Sequence, residues 1–167
     1  MLHLLGSAEV ESTAHIRIVR PVAEGLRDRG YAVHVWFLGG DGPLIEECME
    51  AGLYPRVIGW TAGLRDPLGA ARLFRALRSR PFPIVHQHFG GRSVRRIVRA
   101  ATPAKIVTHL HGRVSEADFG RLLSPRVSDA DAVLATSAAV ARAVAGSPVQ
   151  VVYPGCLLYT SPSPRDS

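Results

Sequence analysis

The chain has 167 residues, of which 47% are hydrophobic, and carries a formal net charge of +6. That composition supports one domain with a real core and excludes a globally disordered chain. No apolar run approaches the roughly 18 residues of a membrane-spanning helix.

In chain order, strand one is expected over Leu2 to Leu5, broken by Gly6 and followed by a polar loop, GSAEVEST. A helix then runs to about Arg29, with Ile18, Val19, Val22 and Leu26 on one face. Pro21 falls inside it, as a kink or as its real start, and Gly30 is placed as its C′ cap. Strand two is YAVHVWFL, ended by GGDGP, and a short helix through Met49 stops at Gly52. Strand three is expected over Arg56 to Trp60. DPLGAARLFRALRSR reads as a helix with Asp66 as N-cap and Pro67 at its first position. FPIVHQHF is strand four, GRSVRRIVRAA a helix with Val94, Ile97, Val98 and Ala101 inward, and KIVTHLHG strand five. A looser helical stretch follows from Ser115 to about Val127; DAVLATS is strand six, AAVARAVAG a helix and VQVVYP strand seven. Strands and helices alternating at this spacing, with strands written as continuous Val/Ile/Leu runs, argue for an α/β fold: a Rossmann-like, doubly wound parallel sheet of about seven strands with helices on both faces.

Two of these strands end in the same way. IVHQHFGG carries His86 and His88, and KIVTHLHG carries His109 and His111, so that four of the 7 histidines sit in two short segments. Residues two apart in a strand face the same side, and ligands of open parallel sheets bind outside the carboxyl ends of the strands. If strands four and five are neighbours, imidazoles gather at one mouth of the sheet. Three readings compete. Any one of these histidines, and His34 and His86 above all, reads most simply as a partly buried side chain bonded to backbone. Two His-x-His pairs also supply imidazoles enough for a metal, but THLHG is followed by Arg113 and no carboxylate completes a hydrolase motif, so no metal is expected. The third reading is a polar site for a hydroxyl-rich substrate, which Gly112 favours by letting backbone approach a ligand closely.

Other chemistry is not written in the chain. There is no phosphate-binding G-x-x-x-x-G-K-[ST] loop, no G-x-S-x-G elbow and no dinucleotide fingerprint. Cys48 and Cys156 have no paired spacing, so neither a disulfide framework nor a zinc knuckle is indicated. Gly6, between a strand and a helix, could present backbone N–H groups to a phosphate.

The body resembles the N-terminal, acceptor-side domain of glycosyltransferase family 4, whose members have the two-domain GT-B fold. The landmarks are the turn at Gly6, the passage RDRGYAVHVW, then FPIVHQHF, IVTHLHG, DADAVLATSAAV and VVYPG, in that order and spacing. The resemblance implies retaining transfer of a sugar from a nucleotide-sugar donor to an acceptor hydroxyl of a glycan or lipid-linked acceptor, with no further cofactor. It implies that His111 contacts the transferred sugar and is the catalytic position, that His88, His109 and Gly112 line the substrate cleft, and that Gly6 and Ser7 lie near the donor phosphates. Ser137 matches a serine ending strand six and is expected to cap the next helix. Many members carry a double glycine where this chain has Gly6-Ser7. The alternative from another class is a stand-alone doubly wound binding module without catalysis, but such a module of the response-regulator kind wants acidic residues at the end of strand one, where Leu4-Leu5-Gly6-Ser7 stands.

From Cys156 the text changes to CLLYTSPSPRDS, which resembles a translated sequencing-adapter scar. On that reading residues 1–155 are the Rossmann-like domain, 156–167 are a non-native or disordered tail, and the donor-binding domain is absent. Stripes at Arg92, Arg95, Arg96 and Arg99 and at Arg72, Arg75 and Arg78 lie opposite apolar faces and are expected to be solvated. Docking on anionic lipid is the functional alternative, and nucleic acid is not expected because interleaved aromatics are lacking. The start, MLHLLGSAEV, has no basic n-region and makes a poor signal peptide; a cytoplasmic location is expected, with peripheral contact at the inner face of a membrane left open.

Overall fold

Strands written as unbroken apolar runs are stable only where helices cover both faces of their sheet. The computed structural model describes residues 1–9, 13–60, 66–88, 91–111, 130–142 and 148–153, and it has that architecture. The elements are β1 (Leu2–Ser7), α1 (Thr13–Arg27), β2 (His34–Gly39), α2 (Leu44–Glu50), β3 (Tyr54–Val57), α3 (Pro67–Ser79), β4 (Ile84–Gln87), α4 (Arg92–Ala101), β5 (Lys105–Leu110), β6 (Ala132–Ala135), α5 (Ala138–Arg142) and β7 (Gln150–Val151). The strands form one sheet in the order β3-β2-β1-β4-β5-β6-β7, every pair parallel. The chain therefore winds outward from β1 to β3, returns, and winds the other way from β4. The topological switch point lies between β1 and β4, where a doubly wound sheet opens its ligand crevice.

The pleat sorts the core into two layers. Leu2, Leu4, Trp36, Val85 and Ile106 pack with Leu73, Ala76 and Leu77 of α3 and Val94, Val98 and Ala101 of α4 on one face. Leu5, Val35 and Phe37 pack with Val19 and Ala23 of α1 and Leu44 and Cys48 of α2 on the other. Each fully buried Leu or Phe contributes about 1.5–3 kcal/mol, so the central strands are the rigid part of the domain.

Local signals place the helices. Asp66 caps α3 by accepting from the Gly69 N–H at 2.8 Å, a contact worth about 1 kcal/mol. Gly30 ends α1 with φ +83°, and the N–H groups of Gly30 and Tyr31 donate to the carbonyls of Arg27 and Leu26, the closing pattern of a helix ended by a left-handed residue. Pro21 lies inside α1 rather than at its start.

Several expectations need correcting. β1 does not stop at Gly6 but runs through it to Ser7, paired with Gly39 of β2. Strand three starts two residues earlier than expected, at Tyr54. Val22, assigned to the inner face of α1, is exposed. The arginine stripe of α4 is not uniformly solvated: Arg95 is buried with 3% exposure, because it adjoins Val94 and precedes Val98 by three residues, and so falls on the inward side of the helix. Arg99 pairs with Asp131 at 2.8 Å. Arg72, Arg75 and Arg78 are exposed as expected. Among the described residues no helix is long and apolar enough to cross a membrane. The helical stretch expected over 115–127, the second half of the AAVARAVAG helix and the tail from residue 156 lie outside the described residues.

Candidate functional site

Register brings the histidines together. β1 pairs with β4 so that His3 stands beside His86, and β4 pairs with β5 so that His86 stands beside Val107. Counting in twos from these partners puts His3, His86, His88, His109 and His111 on one face of the sheet. It is the face that carries Leu5 and Phe37. The five residues span three adjacent strands at the switch point, and His88 and His111 each stand just past the end of their strand.

The rings form a continuous stack. His86 and His88 lie 4.2 Å apart between centroids, His109 and His111 also 4.2 Å, and His88 and His111 5.1 Å. His88 is the hub. Its Nε2 shares a hydrogen bond with Nδ1 of His3 at 3.0 Å, and its Nδ1 shares one with Nε2 of His111 at 2.8 Å. A neutral imidazole donates from one nitrogen and accepts at the other, so the two bonds are coupled. If His88 donates toward His111 it accepts from His3, and the reverse.

Burial makes the inner part of this chain neutral. Burial first, and then the N-terminal ammonium and His109, push the His3 pKa down to about 4. Burial and the neighbouring rings push His86 down to about 2 and hold His88 well below the ordinary value. His3, His86, His88 and His109 are buried, whereas His111 is half-buried. The cluster thus runs from a dry interior to His111, the one ring of the five that is only half-buried, with its Nδ1 still buried. That end is braced from β6: the Thr136 hydroxyl donates to the His111 carbonyl at 3.3 Å, and the Thr136 N–H donates to the Leu110 carbonyl at 3.0 Å. Two triads bring one ligand nitrogen from each ring within 4.8 Å of the others: His3, His86 and His88, and His88, His109 and His111. These are the groups that could hold a metal ion.

The remaining candidates are placed as follows. Gly6 and Ser7 end β1 half-buried, on the side of β2. The Ser7 hydroxyl accepts from the Glu9 N–H at 3.2 Å, and the Ala8 N–H donates to the Gly39 carbonyl at 3.1 Å. Gly40 has φ +76°, and a Cβ there would press on the Ser7 side chain and on the Ala8 nitrogen. The β1 loop is therefore held by the glycine-rich loop after β2. Gly112 lies outside the described residues. Ser137 caps α5, its hydroxyl accepting from the Val140 N–H at 3.2 Å. His34 takes no part in the cluster; it stacks on Tyr54 at 4.8 Å and meets the edge of Phe82 at 5.3 Å.

Sequence reasoning missed His3. MLHLLG reads as a buried strand in which one histidine is unremarked, and only the β1–β4 register shows that it is the innermost member. The available signal was position: a histidine on strand one, beside the switch point, in a chain with His-x-His on strand four.

Comparison with known proteins agrees with this fold. The sequence model of Glycosyltransferase Family 4 matches residues 17–156. The fold is similar to the crystal structure of a glycosyltransferase from Rickettsia africae ESF-5, with a TM-score of 0.67 and 16% sequence identity over 91% of this chain and 42% of that one. The chain spans less than half the length of that structure. No curated protein matches it. With a doubly wound sheet, a polar site at its switch point and a family match over most of its length, the chain belongs to glycosyltransferase family 4.

Proposed function

We propose that residues 1–155 form the N-terminal, acceptor-side half of a GT-B glycosyltransferase that moves a sugar, with retention, from a nucleoside-diphosphate donor to an acceptor hydroxyl. In that reaction the bond from the anomeric carbon to the diphosphate oxygen breaks. A bond to the acceptor oxygen forms on the same face of the sugar, and the acceptor's proton leaves with the diphosphate. The donor-binding half belongs to a second domain, so this chain supplies half a site. The family match and the 42% coverage of the Rickettsia chain support that reading. The acceptor is a glycan or a lipid-linked glycan, and the enzyme works in the cytoplasm, with the exposed arginines of α3 as its contact to an anionic membrane surface.

The observation that carries the proposal is the histidine chain that runs from β1 at the switch point to a half-buried His111 at the carboxyl end of β5. Nε2 of His111 is shared with His88 and its Nδ1 is buried, so a turn of this half-buried ring brings a nitrogen to a sugar hydroxyl. His111 is the catalytic residue that touches the transferred sugar, His109 and Gly112 line the same cleft, and Gly6 and Ser7 face the donor phosphates. His88 is a positioning residue: its bond to Nε2 fixes the tautomer of His111. No metal or further cofactor takes part in the transfer.

The test is an assay of the full reading frame with a panel of nucleoside-diphosphate sugars and hydroxyl acceptors. Release of nucleoside diphosphate together with a glycosylated product of unchanged anomeric configuration is expected. An inverted product, or no transfer across the panel, contradicts the proposal.

A further inference from the structure

From the convergence of three imidazoles on adjacent strand ends, we infer that His88, His109 and His111 form a binding site for one divalent transition-metal ion of zinc-like chemistry. Ligand nitrogens of the three lie within 4.8 Å of one another. The ion enters where Nδ1 of His88 faces Nε2 of His111 at 2.8 Å. Zinc–nitrogen bonds of about 2.0–2.1 Å in a tetrahedral set need about 3.3 Å between ligand nitrogens, so the two rings part by about half an ångström, within the reach of small χ adjustments.

Four features suit this triad to a metal, and the second sets it apart from the inner one. First, His88 comes with its outer partner. A metal-bound histidine characteristically engages its second ring nitrogen with a fixed neighbour, which sets its orientation, and Nε2 of His88 already bonds Nδ1 of His3 at 3.0 Å. The inner triad would keep the matching contact from Nδ1 of His88 to His111 at 2.8 Å, so this feature suits either triad to a metal. Second, His111 is half-buried while His3, His86 and His88 are all buried, so an ion in the outer triad sits nearer the surface, whereas one among the inner three would put two positive charges into a dry interior. Third, the ligands stand on rigid ground, because β4 and β5 pair directly and Val85 and Ile106, which lie in them, are fully exposed to no solvent at 0% accessibility. Fourth, the donor set is all imidazole, which selects zinc, copper or nickel over magnesium or calcium.

One consequence rests on the sugar-site reading: an ion holding Nε2 of His111 displaces the His88 bond that orients this ring, so metal occupancy inhibits transfer. The binding itself does not depend on that reading.

The test uses the tag-free 167-residue chain, stripped with a chelator and titrated calorimetrically with ZnCl2, with Co2+ absorption as a second probe. Saturable one-to-one binding of Zn2+, no heat with MgCl2, and visible Co2+ bands of a four-coordinate site are expected. His88→Gln and His109→Gln should each weaken Zn2+ at least about a hundredfold and His3→Gln roughly ten- to a hundredfold, with His86→Gln within about threefold of the unaltered chain. Each variant is first checked for a cooperative melt in chelator. Where one fails to fold, protection of His111 by Zn2+ against diethylpyrocarbonate in the unaltered chain decides the matter. Absence of saturable binding, binding that survives His88→Gln, or a loss in His86→Gln as large as in His109→Gln overturns the inference, as does His111 modification at an unchanged rate in Zn2+. Zinc binding by the chain with no sugar transfer by the intact protein would leave this site standing and remove the transferase proposal; the reverse result would remove only the metal site.

Discussion

Nδ1 of His88 lies 2.8 Å from Nε2 of His111, a bond that joins the carboxyl end of β4 to the carboxyl end of β5. Because the other nitrogen of His88 is bonded to His3, the protonation of the ring at the mouth is tied to a ring in the interior. Four predictions follow from this arrangement and from the packing that holds it.

Acid should unfold the domain early. The pKa values of His3, His86 and His88 all fall on folding. Below about pH 6.5 the unfolded chain takes up protons that the folded chain refuses, so stability is complete above that pH and declines as pH falls, by up to about 1.4 kcal/mol per pH unit for each such histidine. His3 stops adding to the slope below about pH 4, where its folded form also protonates. Melts in chelator from pH 7.5 to 4.5 should show a steep drop beginning near 6.5. A melting temperature that stays flat between pH 7 and 5 contradicts the neutral interior.

How much of this was legible in the sequence is best judged from particular residues. The parallel sheet, the Asp66 and Ser137 caps and the Gly30 stop were readable because each rests on a local rule: apolar runs, a side-chain acceptor before a helix, a glycine after one. The gathering of His88, His109 and His111 was also readable, since period two and the carboxyl-end rule need only the strand order. His3 was not, because its membership depends on the register of β1 against β4, which no local pattern encodes. Arg95 was misread for a similar reason: how far α4 is rolled toward the sheet depends on α3 and the strands beneath, so helical periodicity alone drew the boundary of its inner face one residue short.

Gly40→Ala should destabilise the loops at the mouth more than Gly30→Ala does. Both glycines have positive φ, so both substitutions carry the backbone cost of about 1 kcal/mol or more. Only at Gly40 does the new Cβ also meet backbone, with Ala8 N at 3.0 Å; at Gly30 nothing lies within 4 Å. The melting temperature of Gly40→Ala should therefore be the lower by a few degrees. Equal melts would mean that the β1 and β2 loops do not brace each other.

Asp131 ties three elements: its carboxylate accepts from the Ile106 N–H at 2.8 Å, from Arg99 at 2.8 Å and from Lys105 at 3.1 Å. Asp131→Ala leaves the Ile106 N–H without this acceptor and should cost about 1–3 kcal/mol. Asp131→Asn keeps an acceptor and loses mainly the exposed ion pairs, about 0–1 kcal/mol. Denaturant melts of the two variants should separate in that order, and an Asn variant as weak as the Ala variant would assign the stability to charge instead.

The most direct test of the sugar site is His111→Ala in the intact enzyme, with transfer rate and melting temperature read on the same sample. His111 is the half-buried end of the histidine chain, and its removal leaves the buried His88 Nδ1 without this partner, so the melt should fall by only the several degrees that about 1–3 kcal/mol corresponds to, with the fold intact. Loss of a positioned hydrogen bond to the reacting sugar should lower transfer per folded molecule on the order of ten- to a thousandfold. Unchanged activity per folded molecule, whatever the shift in melting temperature, would make His111 a structural histidine and contradict the account.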